Sequence, residues 1–329
     1  MKELNSLLQE YGAMVNQQIE KYILRAGQPV TLHQPIWELL DRGGKRFRPA
    51  LTLLVCRAVG GQPRRALPAA AAVEILHNMT LIHDDIEDQS ELRRGKPCIH
   101  IMFGLPTAVN AGDAMLMKVF EAAADGSLPA DIKNELVRRF AKRAFQITRG
   151  QALEFELNSR KDFSEADVIE VLQNKTGALV ALSCEAGAVV GRAKRSQFSA
   201  ATKFGESIGV GFQVVDDLLN VVGDVRKYGK EIGGDIREGK RTIMGAHLVR
   251  SASAEDRDRF MGMLGKSTIS QEEIAQAIDL YKEYGSLDYA KKVADRYIED
   301  GLQALKRLPR SDARETLDAL ARFLVQRES

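Results

Sequence analysis

Apolar residues recur along most of this chain at helical spacing. Leu4, Leu7, Leu8, Tyr11, Met14 and Val15 predict an amphipathic helix at the start. A short helix is expected from Pro35, and another over 50–59. The largely apolar run 69–82 has no glycine and no interior proline, and Pro68 stands at its head, where a helix tolerates proline. It reads as one long helix ending in acids. Pro97 and Pro106 bracket an irregular link, and helices are expected over 108–124 and 129–157. Ser164 with Asp167 marks an N-cap. The helix that starts there is expected to break at Asn174-Lys175-Thr176-Gly177. Further helical stretches follow at 178–191 and 200–222, after 239–242, behind a capping box of Ser270 and Glu273, and over 288–308 and 312–325. The chain contains no convincing period-two run, no repeat beyond the doubled acid motif described below, and no low-complexity linker. The expectation is an all-α fold in a single domain over 1–329.

Composition narrows the function classes. The chain has 329 residues, 44% of them apolar, ample for a sizeable core. A net charge of +2 provides no broad field for polyanions, and the basic residues are scattered with little aromatic interleaving. Nucleic acid is therefore not an expected partner. Cys56, Cys98 and Cys184 are far apart and form no CxxC or paired set, which fits a reducing, cytoplasmic location. The N-terminal segment is polar and amphipathic, unlike a signal peptide. The stretch 178–191 is too short to span a membrane and carries Glu185, so it reads as a core helix.

The chemistry concentrates where the long helix ends, in Leu81-Ile82-His83-Asp84-Asp85-Ile86-Glu87-Asp88, followed by Leu92-Arg93-Arg94-Gly95-Lys96-Pro97. At 3.6 residues per turn Asp84 and Asp88 share a face, with His77 two turns below. Two carboxylates so placed repel unless a cation joins them. An all-oxygen pair suits Mg²⁺, which keeps several waters and takes one or two carboxylates plus substrate phosphates. The arginines that follow suit phosphate oxygens. A solvated acidic helix end is the plain alternative, but the arrangement nearly recurs at Phe212-Gln213-Val214-Val215-Asp216-Asp217-Leu218-Leu219-Asn220. Two such pairs on long apolar helices suit opposite walls of one cavity. Gly43-Gly44-Lys45-Arg46-Phe47-Arg48-Pro49 opens a helix, and helix N-termini attract anions. Lys175 and Thr176 sit at a break within apolar sequence, where polar side chains need a partner. The glycine-rich segment 223–235 and Gly239-Lys240-Arg241-Thr242 lack the spacing and the preceding strand of a Walker A loop.

Five separated motifs, in order, resemble those of the trans-isoprenyl diphosphate synthases of the polyprenyl synthetase family. They are GGKRFRP; DDIED with LRRGKP; Gly150-Gln151; Lys175-Thr176; and FQVVDD with the lysine-rich segment after it. The resemblance implies a helical bundle around a deep central cavity, a homodimer, and a condensation. An allylic diphosphate (dimethylallyl, geranyl or farnesyl) ionises, isopentenyl diphosphate attacks the cation, and a proton is lost. It implies three Mg²⁺, two held by Asp84 and Asp88 and one by Asp216, with Asp85 and Asp217 as further or water-mediated metal ligands. Arg93, Lys175, Lys230 and Lys240 would hold the allylic diphosphate, and Lys45, Arg48, His77 and Arg94 the isopentenyl diphosphate. Thr176, Gln213 and Phe212 would line the cavity near the developing cation. Leu76, Met79 and Thr80 would form a floor to the growing chain, with Met117 or Phe120 deeper.

Asn220 departs from the family, where aspartate is common at that position, and keeps an oxygen but no charge. The segment 223–235 also reads a residue longer than in some relatives, leaving Lys227 and Lys230 as alternatives. With bulky, flexible Met79 and small Thr80 below the acids, and one helical turn of about 5.4 Å matching roughly one isoprene unit, the expected product has about twenty carbons, geranylgeranyl diphosphate. A farnesyl or longer product is the alternative. Rival readings are a terpene cyclase, which would not need GGKRFRP, and a non-catalytic partner subunit, which would tend to lose acids that both motifs here retain.

Overall fold

A computed structural model describes residues 2–223, 232–266 and 268–325. In chain order, helices α1 (Lys2–Ile19), α2 (Val30–Leu40), α3 (Phe47–Ala58) and α4 (Leu67–Glu87) precede a small hairpin, β1 (Leu92–Arg93) and β2 (Lys96–Pro97). Then come α5 (Ile99–Phe103), α6 (Leu105–Ala123), α7 (Ala130–Ser159), α8 (Glu165–Leu172), a π turn (Gln173–Gly177), α9 (Ala178–Val190) and α10 (Arg195–Val222). The remaining helices are α11 (Gly234–Glu238), α12 (Ile243–Ser251), α13 (Ala254–Met263), α14 (Gln271–Glu283), α15 (Ser286–Leu305) and α16 (Asp312–Val325). The class is all-α, as expected. Contacts divide the chain into two compact units. One holds Met1–Ala144, Leu179–Gly205 and Gln303–Leu320; the other holds Phe145–Ala178, Glu206–Leu302 and Ala321–Ser329.

In the first unit α4 packs against α6, α3 and α1. Pro68 lies in its first turn, where the missing N–H costs no helical bond. Ala69, Ala70, Ala71 and Ala72 are all fully buried, because a thin helix lets neighbours approach on every side. Close approach recurs between α9 and α3, where a Cβ on Gly187 would lie 2.2 Å from the carbonyl oxygen of Thr52. Thr52 Oγ1 donates to the Ser183 carbonyl at 2.9 Å across the same contact. Two expectations need correction here. Helix α2 begins at Val30 and carries Pro35 inside, since a proline near the N-terminus forfeits one helical bond and the helix survives. The link between Pro97 and Pro106 contains α5, and the two-residue strands before it are too short to show alternation.

The second unit has its own core, in which Phe163, Val168, Val214, Ile243, Leu248, Phe260, Leu280 and Tyr281 are buried together. Caps foreseen at Ser164 and Ser270 are full capping boxes, and Thr242 caps α12 by accepting from the Gly245 N–H. At 174–177 the helix does not break. It widens by one residue into the π turn, a local distortion found often at functional sites. The turn persists because its polar residues find partners, described below. Among the described residues no helix is long and apolar enough to cross a membrane.

Candidate active site

The first unit gathers one set of predicted residues around the end of α4. Asp84 is half-buried and Asp88 exposed, while Asp85 between them is 1% exposed. The Asp85 Oδ1 accepts hydrogen bonds from Arg93 Nε at 2.7 Å and from Arg93 Nη2. Burial opposes the Arg93 charge, yet its bond to Asp85 outweighs that and raises its pKa above the ordinary value. Arg93 reaches back because the hairpin turns tightly. Leu92 pairs with Pro97 and Arg93 with Lys96, and Arg94 and Gly95 both adopt positive φ, 54° and 74°. Two left-handed residues in succession make the two-residue turn that matches strand twist, and glycine takes that conformation without steric cost. Arg94 bears a Cβ there, and its guanidinium donates to the Gly43 carbonyl. Arg42 secures the hairpin from α2's end, donating to the carbonyls of Arg93 at 3.1 Å and Pro97 at 2.8 Å.

The glycine-rich entry to α3 is anchored by a residue the sequence reading passed over. Arg46 has φ 46° and is buried; its guanidinium donates to Asn16 Oδ1 (3.1 Å), the Leu40 carbonyl (2.9 Å) and Glu74 Oε1 (2.6 Å). Glu74, a lone acid inside the alanine-rich run, was the available signal. Lys45 is exposed and Arg48 half-buried on either side of this anchor. Arg48 Nη1 lies 3.2 Å from His77 Nε2. A guanidinium only donates, so Nε2 accepts and the ring is neutral. Burial pushes the His77 pKa well below the ordinary range, and the charges of Arg48, Arg94, Arg93 and Arg46 push it further.

Of the proposed floor, Leu76 and Met79 are buried, and Thr80 is half-buried with its hydroxyl on the His77 carbonyl. Phe120 is half-buried. Met117 is 60% exposed on α6, so a single chain does not enclose it as a floor; the buried face of that helix carries Met115 and Val119 instead.

The second unit brings the other set together. Thr176 Oγ1 donates to Gln213 Oε1 at 3.0 Å, and Gln213 Nε2 donates to Asp217 Oδ1 at 3.0 Å. The same Asp217 oxygen accepts from Lys240 Nζ at 2.8 Å. Lys175 Nζ donates to Glu154 Oε2 at 2.6 Å, a partner on α7 not assigned from sequence. Burial raises the Asp217 pKa, with the Lys240 ammonium pulling it back. Burial alone would lower the Lys240 pKa, but Asp217, Asp235 and Glu154 carry it well above the ordinary value. Asp216 and Phe212 are half-buried. Asn220 is buried, and its Oδ1 accepts from the Asp235 N–H at 3.0 Å, so this side chain is committed to holding backbone. Lys227 and Lys230 lie outside the described residues.

Asp85 and Asp217, counted among metal ligands on sequence grounds, are therefore each engaged by a cation and buried. Asp84, Glu87, Asp88 and Asp216 are the acids of these motifs that reach the surface. Among the described residues no three of His, Cys, Asp and Glu gather into a ready-made metal cage. An acid pair one helical turn apart, oxygen-only, fits an ion such as Mg²⁺ that completes its shell with water and substrate phosphate.

Comparison with known proteins identifies the family. The family model described as Polyprenyl synthetase matches residues 29–281. The short chain isoprenyl diphosphate synthase of Methanothermobacter thermautotrophicus is 37% identical, over 100% of both chains. The geranylgeranyl diphosphate synthase of Sulfolobus acidocaldarius is 34% identical, over 99% of both. Among solved structures, the geranylgeranyl pyrophosphate synthetase from Pyrococcus horikoshii superposes with a TM-score of 0.94 at 36% identity, covering 99% of each chain.

Proposed function

The chain belongs to the polyprenyl synthetase family and is a prenyltransferase, and from that premise we propose that it makes geranylgeranyl diphosphate, its whole length 1–329 acting as one catalytic domain. Isopentenyl diphosphate and an allylic diphosphate are its substrates. One observation carries the assignment of roles. In each acid motif the second aspartate is buried against a following cation, Arg93 or Lys240, while the first remains accessible. Asp84 and Asp88 in one motif, and Asp216 in the other, would hold three Mg²⁺ with Asp85 and Asp217 behind them. Bound Mg²⁺ neutralises charge that develops on a leaving diphosphate.

The chain's own residues divide the remaining work. Arg48 and neutral His77, with Lys45 and Arg94, hold the isopentenyl diphosphate by charge and hydrogen bonds. Arg93, Lys175 and Lys240, joined by Lys230, hold the allylic diphosphate. The allylic C1–O bond breaks with its electron pair leaving on diphosphate. The isopentenyl double bond attacks C1, and the proton lost next goes to the released pyrophosphate. Thr176 and Gln213, already hydrogen-bonded to each other, present oxygen dipoles to the cation. Buried Leu76 and Met79, with Thr80, limit the tail.

A homodimer is part of this reading. Ile101, Met102, Leu105 and Val109 are exposed and apolar along α5 and α6, a patch of the kind that marks association. A cytoplasmic site of action fits three unpaired, buried cysteines.

The test is incubation of purified protein with Mg²⁺, labelled isopentenyl diphosphate and each allylic primer, followed by chromatography of the dephosphorylated product. A single geranylgeranyl product is expected, shortened by Met79→Phe. An unchanged length in that variant moves the floor elsewhere, and no incorporation with any primer refutes the condensation itself.

A further inference from the structure

Gln151 is 7% exposed, yet neither its Nε2 nor its Oε1 has a hydrogen-bond partner among the described residues. Buried amides are nearly always paired, so an unpaired one calls for a ligand or an ordered water. Its surroundings say which part of a ligand. Neighbouring Gly150 lets α7 press against the π turn: a Cβ there would sit 2.5 Å from Lys175 N and 2.7 Å from Asn174 C. Three residues on, and so on the same helix face, Glu154 accepts from Lys175 Nζ. Gln151 thus faces the turn that carries Lys175 and Thr176.

Three other side-chain amides of this unit are engaged. Asn174 bonds Arg149 and the Glu170 carbonyl, Gln213 bonds Thr176 and Asp217, and Asn158 accepts from the Arg241 N–H. Glu154 also acts on the Lys240 charge, which marks its level on α7 as the diphosphate end. Gln151 lies about 4.5 Å further along α7 from that end, by the 1.5 Å rise per residue.

On the condensation reading above, we infer that Gln151 is a catalytic residue whose amide oxygen faces the first isoprene unit of the allylic substrate. As the C1–O bond breaks and its electron pair leaves with the diphosphate, positive charge spreads over C1 and C3. The amide oxygen dipole stabilises that charge without forming a bond. A carboxylate at this place would capture the cation; a neutral amide does not. The role is confined to the transition state, because the intact allylic diphosphate carries no charge there.

The experiment compares wild type with Gln151→Met, which keeps length and loses the dipole, and with Gln151→Leu in case the first variant does not fold. Steady-state kinetics are measured with both substrates. Binding is measured for an ammonium analogue of the allylic cation given with pyrophosphate, and for an unreactive thiolo analogue of the allylic diphosphate. Expected is a fall in kcat of about 30-fold, less than the roughly 10²–10³-fold of a lost oxyanion donor because the amide is neutral. The KM values and thiolo-analogue affinity stay within about twofold, and ammonium-analogue affinity falls with kcat. Thermal stability does not fall, since an unpaired amide gives way to an apolar group. Unchanged kcat and unchanged ammonium-analogue binding in a folded variant overturn the assignment, as does a change confined to product length. An inactive wild type refutes the condensation reading instead, which separates the two failures.

Discussion

The two acid motifs end long helices of similar build, yet they secure their second aspartate by different routes. Asp85 is bonded by an arginine eight residues on, delivered by a two-residue hairpin turn that Arg42 fastens at both strands. Asp217 is bonded by a lysine 23 residues on and by Gln213 one helical turn back. In both, the other carboxylate oxygen is buried with no partner among the described residues. A local clamp needs only a tight turn. A distant clamp needs the intervening chain to return, and Asn220 assists by bonding the Asp235 N–H on the far side. The same requirement, a buried acid with a cation against it, is thus met once by sequence-local geometry and once by tertiary folding.

The largest effects should fall on the accessible acids. Asp84→Asn and Asp216→Asn are each expected to cost roughly 10²–10³-fold in turnover, as for removal of one preorganised electrostatic group. Asn220→Asp, which restores the charge common in the family, should change turnover by less than about threefold because the side chain is tied to backbone rather than open to a ligand. Steady-state kinetics of the three variants decide this; a large gain from Asn220→Asp would mean the second motif is short of a metal ligand.

Next in size is the cost of breaking a clamp. Lys240→Met leaves Asp217 buried beside no cation and should destabilise by about 3–5 kcal/mol, and adding Asp217→Asn should recover most of it. The matching cycle at Arg93 and Asp85 reports whether the local clamp is coupled as strongly. Denaturant unfolding of both cycles measures this. A Lys240→Met protein as stable as wild type would show that Asp217 is neutral or hydrated without its lysine.

The smallest effect separates the motifs by pH. His77, on the first motif's helix, has a pKa held below its ordinary value. The unfolded chain takes up a proton near pH 6.5 that the folded chain refuses. Its contribution to stability is therefore complete above about pH 6.5 and declines as pH falls below that value. Thermal melts at pH 7.5 and 5.5 should show a larger acid loss in wild type than in His77→Gln. Parallel losses would mean His77 is charged in the fold.

Much of the molecule was legible in the chain itself. Helix periodicity, proline at the head of α4, and the caps at Ser164 and Ser270 are interactions within a few residues, so the residues alone specify them. The spacing of Asp84 and Asp88 on one face is likewise a property of any helix. What the residues did not specify depends on partners far along the chain. The stretch 174–177 reads as a break, but it stays helical as a π turn because Glu154 and Gln213 satisfy Lys175 and Thr176. Arg46 reads as one more basic residue of a glycine-rich loop until Glu74, 28 positions away, pairs with it. Met117 fits a floor by composition, and only the packing of α6 turns it outward. By itself, then, the sequence determined the helices, their ends and the chemical inventory, because these follow from short-range backbone and charge effects. Which aspartates are buried behind a cation and which reach the surface was decided only by tertiary structure, because burial depends on neighbours that the chain brings back from a distance.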